Sequence, residues 1–146
     1  MGRELSVAEQ QRLAALFSEK IDAYLDAGSG EAHLADPRIA KITADALVYF
    51  DKVRYRLLAW CLMPNHVHVV FRPMQDHTLA GIVQAWKSYS AHHANGILGR
   101  SGEFWQREYY DHLVRDERDF GRIVRYVIEN PRKAKLVNWP WVGVSS

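Results

Sequence analysis

The stretch "LMPNHVHVVF", residues 62–71, places two histidines one residue apart in a run that otherwise has the composition of a buried strand. Pro64 and Asn65 inside it are typical turn residues, so the chain is expected to reverse direction there. Strand-forming residues lie on both sides of the turn, in "YRLLAWCLMP" (55–64) and "HVHVVFRP" (66–73). The sequence therefore predicts an antiparallel β-hairpin with both histidines in its second strand.

His66 and His68 are expected to share one face of that strand. Strand side chains alternate between the two faces, so Val67 points the other way, into the core. Two neighbouring imidazoles can bind a divalent cation together. Polar side chains also line the solvated face of many half-buried sheets, so the histidine pair by itself leaves both interpretations open.

The rest of the sequence completes an α+β pattern, an antiparallel sheet with helices packed on it. Apolar residues recur at helical spacing in four segments. These helices are predicted over residues 6–26, 37–51, 78–97 and 117–130. Ser6 and Asp36 are the predicted N-caps of the first two. A third strand is predicted over residues 107–116, and the "WPW" near the end is expected to pack the tail against the body. The length fits one domain, residues 1–146.

The composition is that of an ordinary globular protein, because 48% of the 146 residues are hydrophobic and 25% are charged. Apolar runs reach only about ten residues, too short to cross a membrane. The first residues also lack the apolar core of a secretory signal. Cys61 is the only cysteine, so no intrachain disulfide can form and a cytoplasmic location is expected. Residues 51–146 carry 14 Lys and Arg against 9 Asp and Glu, which is compatible with a polyanionic partner.

Three sequence blocks follow one another: "MPNHVH" (63–68), "FWQREYYDHLVRD" (104–116) and "VRYVIENPRKAKLV" (124–137). Together they resemble the REP-associated tyrosine transposases of the HUH single-strand endonuclease superfamily, whose name denotes histidine, hydrophobic residue, histidine. The resemblance covers roughly residues 35–145. It implies the ferredoxin-like fold of the HUH transposases.

The resemblance assigns roles to four residues. Tyr126 matches the family's nucleophile, and His66, His68 and Asn130 match the residues that hold a divalent metal, Mg²⁺ or Mn²⁺. The implied activity is that of a metal-dependent transposase, which nicks and rejoins single-stranded DNA at hairpin-forming repeats through a covalent 5′-phosphotyrosine. A monomer or weak homodimer, associated with the nucleoid in the cytoplasm, is expected.

Two other functions are compatible with the same residues. One is a domesticated DNA-binding protein that keeps the fold without transposition activity. The other is a metal-dependent phosphodiesterase that uses water as its nucleophile. The intact set of two histidines, a tyrosine and an asparagine argues against the first, because nothing in binding alone requires all four of them.

Residue chemistry agrees with the assignment of Tyr126 and Asn130. They lie four residues apart, so they are neighbours on one side of the last predicted helix. That side is the edge of its apolar arc, where a phenol can be held by packing and still reach a substrate. Each has an ordinary explanation as well. Tyr126 fits an amphipathic rim residue, and Asn130 precedes Pro131 and fits a helix stop.

Basic residues in the C-terminal half are the predicted phosphate contacts. The predicted DNA-binding residues are Arg107, Arg115, Arg122, Arg125, Arg132, Lys133, Lys135 and Trp105. Trp105 is included because aromatic rings near arginines suit the stacking of single-stranded bases, although sheet packing explains it equally well. Tyr109 and Tyr110 point to opposite faces of their strand, so one is expected in the core and the other on the DNA surface.

The sequence departs from the family at its start. Relatives begin with an extra strand that pairs inside the sheet, whereas here the predicted helix over residues 6–26 follows almost at once. We therefore expect the first strand to be absent through a truncated gene start. Unpaired backbone groups beside the histidine strand would then lower stability and favour self-association through the open edge.

Overall fold

A computed structural model describes Ser6 and residues 20–27, 32–107 and 109–145. Within these ranges the strands are β1 Ile21–Asp26, β2 Tyr55–Met63, β3 His66–Pro73, β4 Tyr109–Leu113 and β5 Val142–Val144. The α-helices are α1 Pro37–Tyr49, α2 Leu79–Leu98 and α3 Glu117–Lys133. The strands form one sheet in the order β4-β1-β3-β2-β5, and every neighbouring pair is antiparallel. The predicted α+β fold, an antiparallel sheet with helices packed on it, is confirmed.

The prediction that the first strand is absent is wrong. Residues 21–26 form β1, which pairs with β3 on one side and β4 on the other and so occupies an inner position of the sheet. Ile21, Ala23 and Leu25 are buried and alternate with polar residues, which is the period of a strand. Ile21 and Leu25 are also four residues apart, so the same pair fits a helix and misled the prediction. Residues 7–19 of the predicted helix lie outside the described residues.

The predicted hairpin forms as expected, with β2 and β3 joined by the turn at Pro64 and Asn65. One face of β3 carries Val67, Val69 and Phe71, all fully buried. This face packs against α1 and α2 in the larger core cluster. Val67 therefore points into the core, as the alternation predicts, and the histidines lie on the opposite face of the sheet.

Helix α3 covers part of that opposite face. Its Ile123 and Val127 are buried in a second, smaller cluster with Ala59 of β2 and Val70 of β3. Because Val70 shares a face of β3 with the histidines, α3 lies on the histidine side of the sheet. This packing brings the helix that carries Tyr126 beside the strand that carries His68.

The helix was predicted to end at Asn130, and it continues to Lys133. Pro131 is tolerated inside α3 because it lies close to the C-terminus, where only one backbone hydrogen bond is lost, and its ring is buried. The expected packing of the tail is confirmed, since Trp139 Nε1 donates a hydrogen bond of 2.6 Å to the carbonyl of Leu62. The tail then adds β5 to the edge of β2, a strand that the sequence did not predict.

Asp119 holds the N-terminal end of α3. Its carboxylate accepts hydrogen bonds from the backbone N–H of Arg115 at 3.0 Å and from the Arg122 guanidinium at 2.7 Å. These bonds, led by the Arg115 N–H, lower the pKa of the Asp119 carboxyl from 3.8 to about 2. The charged form is therefore favoured in the folded state.

Truncation of Leu25 tests the inner position of β1. Leu25→Ala should lower the free energy of unfolding by about 2–5 kcal/mol, because it opens a cavity in the main core. Val144→Ala, on the exposed edge strand β5, should change it by no more than about 0.5 kcal/mol. Urea denaturation of both variants measures this. Equal, small effects would show that residues 21–26 do not contribute to the core.

Asp119→Asn should destabilise the protein at neutral pH, since it removes a carboxylate that the fold stabilises. The folded-state pKa is lowered, so this stabilisation is complete above the ordinary value of 3.8 and is lost as the pH falls through about 2. The difference in melting temperature between wild type and variant should therefore shrink over that interval. Asp45→Asn, which alters an exposed pair with Lys41, serves as the control and should have a smaller effect at neutral pH.

Candidate functional site

Three neighbouring strands present polar and aromatic side chains on the face that α3 partly covers. Tyr24 in β1 lies directly opposite His68 in β3 and Tyr110 in β4. Alternation therefore gathers side chains from all three strands on one face. The pocket they form with α3 has a volume of about 500 Å³ and is lined by Asp22, Tyr24, Asp26, His66, His68, Tyr110, Asp111, His112, Tyr126 and Asn130.

The four residues singled out from the sequence line this one pocket. His66 and His68 come from β3, and Tyr126 and Asn130 come from α3. The His68 and Tyr126 ring centroids are 5.7 Å apart, with the rings at 66°. Tyr126 is 50% exposed, so its ring is held at the pocket while part of it faces solvent. Tertiary packing thus joins residues that are about sixty positions apart in the chain.

His66 is held in a defined orientation by its two neighbours. Its Nδ1 lies 2.9 Å from Asn65 Oδ1, and its ring stacks on Tyr24 with centroids 4.5 Å apart and an interplanar angle of 21°. Burial lowers the pKa of His66, nearby His68 lowers it further, and Asp26 acts in the opposite direction. The neutral imidazole is therefore favoured, and a contact from Nδ1–H to Asn65 leaves the lone pair on Nε2.

His68 is more deeply placed than a residue on a solvated strand face, with an exposed fraction of 9%. Its Nε2 contacts the Asp22 carboxylate of β1. The second oxygen of Asp22 lies 3.3 Å from Nε2 of His112 in β4. One carboxylate thus connects a histidine of the predicted metal pair with a third histidine across three strands.

The predicted ligands suit a divalent metal chemically. The described ranges contain no group of three or more His, Cys, Asp or Glu side chains arranged to hold a metal ion. The predicted set is different, since it combines the two histidines with the amide of Asn130. Neutral imidazole is a common ligand of divalent transition-metal ions, and an amide oxygen is a hard ligand that suits Mn²⁺ and Mg²⁺. The neutral state favoured at His66 is the form that binds metal.

Basic side chains lie beside Tyr126 and along α3. Lys133 Nζ lies 5.7 Å from the centroid of the Tyr126 ring. A groove of about 770 Å³ lies along the N-terminal half of α3, and its lining combines Arg115, Arg118, Arg122 and Arg125 with the carboxylates of Asp116, Glu117 and Asp119. A smaller groove, of about 420 Å³, lies at the end of α3 and includes Arg132 and Lys135. Arg107, just before β4, is exposed.

Trp105 does not belong among the DNA contacts. It is 7% exposed and packs in the main core, where its Nε1 donates a hydrogen bond of 2.8 Å to Ser90 Oγ. Its ring is therefore not accessible for stacking on a base. The two tyrosines of β4 behave as predicted, because Tyr109 packs against the core and Tyr110 is exposed at the pocket.

Three of the pocket residues that sequence reasoning missed come from β1, and two more, Asp111 and His112, come from β4. Asp22, Tyr24 and Asp26 line the pocket, although the sequence placed them in a helix. The signal that could have found them is the strict alternation of "IDAYLD", in which each of these residues follows an apolar one. The alternation extends over six residues only. It directly follows apolar residues at helical spacing, so the change from a helical to a strand pattern was not recognised.

Comparison with known proteins identifies relatives. The sequence matches the family described as "Transposase IS200 like" over residues 36–130. A Haemophilus influenzae protein described as a REP-associated tyrosine transposase is 27% identical over 101 residues, covering 60% of this chain and 57% of that protein. The Escherichia coli REP-associated tyrosine transposase is 24% identical over 94 residues, covering 60% of this chain and 53% of that protein. The matches thus span little more than half the length of these relatives.

Solved structures with the same fold include two transposases. A REP-associated tyrosine transposase bound to a REP hairpin has a TM-score of 0.71 at 18% identity, covering 97% of this chain and 82% of that chain. A Deinococcus radiodurans crystal structure described as a transposase has a TM-score of 0.54 at 19% identity, covering 89% and 95%. At these identities the likeness concerns the fold. No helix in the described ranges is long and apolar enough to cross a membrane.

Proposed function

Because the chain belongs to the IS200-like transposase family, we propose that it is a transposase that nicks and rejoins single-stranded DNA through a covalent 5′-phosphotyrosine. The observation that carries this proposal is the position of Tyr126, half exposed and in the same pocket as His66 and His68. A hydroxyl nucleophile beside two imidazoles that could hold a metal suits phosphoryl transfer to a protein side chain.

Tyr126 attacks the scissile phosphorus with its phenolic oxygen. A bond forms between Oη and phosphorus, and the bond from phosphorus to the 3′ oxygen of the neighbouring nucleotide breaks. The energy of the phosphodiester is kept in the phosphotyrosine, so a 3′ hydroxyl can later attack it and rejoin the strand. Lys133, close to the Tyr126 ring, adds positive charge where the phosphate approaches.

His66, His68 and Asn130 would hold the divalent metal, Mg²⁺ or Mn²⁺. When bound, the metal polarises the phosphate and offsets negative charge in the transition state. Asn65 and Tyr24 fix the orientation of His66 before any metal arrives, through the Nδ1 contact and the stacked rings. Protons and the metal compete for the same nitrogen of His66. Because the pKa of His66 is lowered, protons compete less strongly with the metal.

The substrate proposed is single-stranded DNA beside a hairpin-forming repeat. Support comes from the fold shared with a REP-associated tyrosine transposase bound to a REP hairpin. Arg122, in the groove along the N-terminal half of α3, lies one turn before Tyr126 on the same helix, so it can contact a phosphate that leads to the scissile bond. A protein that only binds DNA would need neither a half-exposed phenol nor a pair of histidines beside it.

Replacement of Tyr126 tests the nucleophile. Tyr126→Phe keeps the ring and its packing but removes the attacking oxygen, so DNA binding should persist and the covalent adduct should disappear. The assay is incubation with radiolabelled hairpin oligonucleotides and Mg²⁺ or Mn²⁺, followed by denaturing gel electrophoresis. Tyr89→Phe is a matched control, because Tyr89 is 48% exposed on α2 outside the pocket, and it should form the adduct like wild type. Loss of the adduct in Tyr110→Phe instead would place the nucleophile on β4.

Replacement of each histidine tests the metal site without DNA. His66→Ala and His68→Ala should each weaken Mn²⁺ binding by roughly 10-fold or more. His68→Ala should also lower the free energy of unfolding by about 1–3 kcal/mol, because it removes a partner of the buried Asp22 carboxylate. Electron paramagnetic resonance titration with Mn²⁺ and thermal melting measure the two effects. His92→Ala, exposed on α2, is the control. Unchanged Mn²⁺ affinity in both pocket variants would contradict the assignment of the ligands.

A further inference from the structure

Asp22 is a buried carboxylate to which the mechanism above gives no role. It lies in the inner strand β1 with 7% of its surface exposed. Burying a carboxylate costs several kcal/mol unless partners compensate it. Neither oxygen forms an ion pair with an arginine or lysine among the described residues; its partners are the imidazoles of His68 and His112. The fold alone would be served better by an apolar residue at this position.

Strand register determines which histidines Asp22 contacts. In the antiparallel pairing of β1 with β4, Asp22 lies directly opposite His112. Its Oδ2 is 3.3 Å from His112 Nε2, while Oδ1 contacts His68 Nε2. A carboxylate facing Nε2 favours the tautomer that carries its proton there. The lone pair of the His112 ring is then on Nδ1.

We propose that His112, oriented by Asp22, is the base that takes the phenolic proton from Tyr126 when the tyrosine attacks DNA. This inference rests on the proposed function. His112 is more than half exposed and lines the same pocket as Tyr126. A carboxylate that orients an imidazole, which in turn accepts the proton of a hydroxyl nucleophile, is the logic of a catalytic triad.

Chemistry favours His112 over the other basic groups of the pocket. A phenol has a pKa of about 10, a carboxyl group about 4 and an imidazole about 6.5, so the imidazole is the stronger acceptor. Both oxygens of Asp22 are already engaged by histidines. His66 and His68 are the proposed metal ligands, and their lone pairs serve the metal. His112 is the remaining imidazole that lines the pocket.

Strand cleavage and rejoining need no reactant other than water for their atoms and protons to balance. In cleavage, the bond from Tyr126 Oη to phosphorus forms, the bond from phosphorus to the 3′ oxygen breaks, and the phenolic proton moves to His112 Nδ1. The departing 3′ oxygen takes a proton from solvent water, and His112 later gives its proton to solvent. In rejoining, His112 first takes a proton from solvent water; a 3′ hydroxyl then attacks the phosphotyrosine and loses its proton to water, while His112 gives its proton to the departing Tyr126 oxygen.

The test is single-turnover formation of the covalent adduct on a hairpin oligonucleotide with Mg²⁺. His112→Ala should form the adduct about 100-fold more slowly or worse, while it stays folded at the assay temperature and its DNA affinity, measured by fluorescence anisotropy, is that of wild type. Added imidazole should accelerate His112→Ala, while leaving wild type and Tyr126→Phe unchanged. His92→Ala, exposed on α2, is the control and should match wild type. Rescue by imidazole separates proton transfer from a structural role.

Asp22→Asn tests the positioning part of the inference. Free imidazole needs no carboxylate to orient it. Asp22→Asn should therefore slow the wild-type background more than the His112→Ala background rescued with imidazole. Equal slowing in both backgrounds would show that Asp22 acts through His68 and would overturn its proposed role toward His112.

The possible failures are distinguishable. If wild type forms no adduct with any hairpin oligonucleotide, the proposed function fails and the inference fails with it. If wild type forms the adduct and Tyr126→Phe does not, the proposed function stands. In that case a wild-type rate in His112→Ala, or a loss that imidazole does not restore, overturns the role of His112 as the base.

Discussion

The pairing of β1 between β3 and β4 is the constraint on which the site depends. Its backbone hydrogen bonds set the register that places Tyr24 opposite both His68 and Tyr110, and Asp22 opposite His112. A shift of β1 by one residue would turn its Asp22 and Tyr24 to the core face. The same pairing buries Ile21, Ala23 and Leu25 in the main core. Burial of these side chains on the core face therefore stabilises the strand register that forms the pocket on the opposite face.

The pocket exists because α3 covers only part of its face of the sheet. Ile123 and Val127 pack over Ala59 and Val70, where the sheet surface is apolar. Toward the start of β3 the surface becomes polar, beginning with His68, and the helix offers Tyr126 and Asn130 instead of aliphatic side chains. The edge of the sheet surface that α3 covers therefore lies at the pocket. A substrate can enter from the uncovered side, while packing fixes the side chains that act on it.

Polar groups on the pocket face contact one another across three strands. The stacked rings of Tyr24 and His66, the contact of His68 with Asp22, and the approach of His112 to the same carboxylate form one connected network. A buried network of this kind is costly unless each member is satisfied, and apolar residues could fill the same volume. Its presence at the junction of three strands and one helix distinguishes this face from the opposite one, which packs in the main hydrophobic core.

The sequence by itself determined the elements whose signal is local. The hairpin around Asn65, the shared face of the two histidines, and Tyr126 on the edge of an amphipathic helix all follow from alternation, turn residues and helical spacing. Only the tertiary structure decided that residues 21–26 form an inner strand, because a spacing of four residues between apolar positions fits a strand as well as a helix. The partnership of Asp22 with His112 was equally hidden, since strand order depends on which edges meet in the folded sheet and leaves no trace in local spacing.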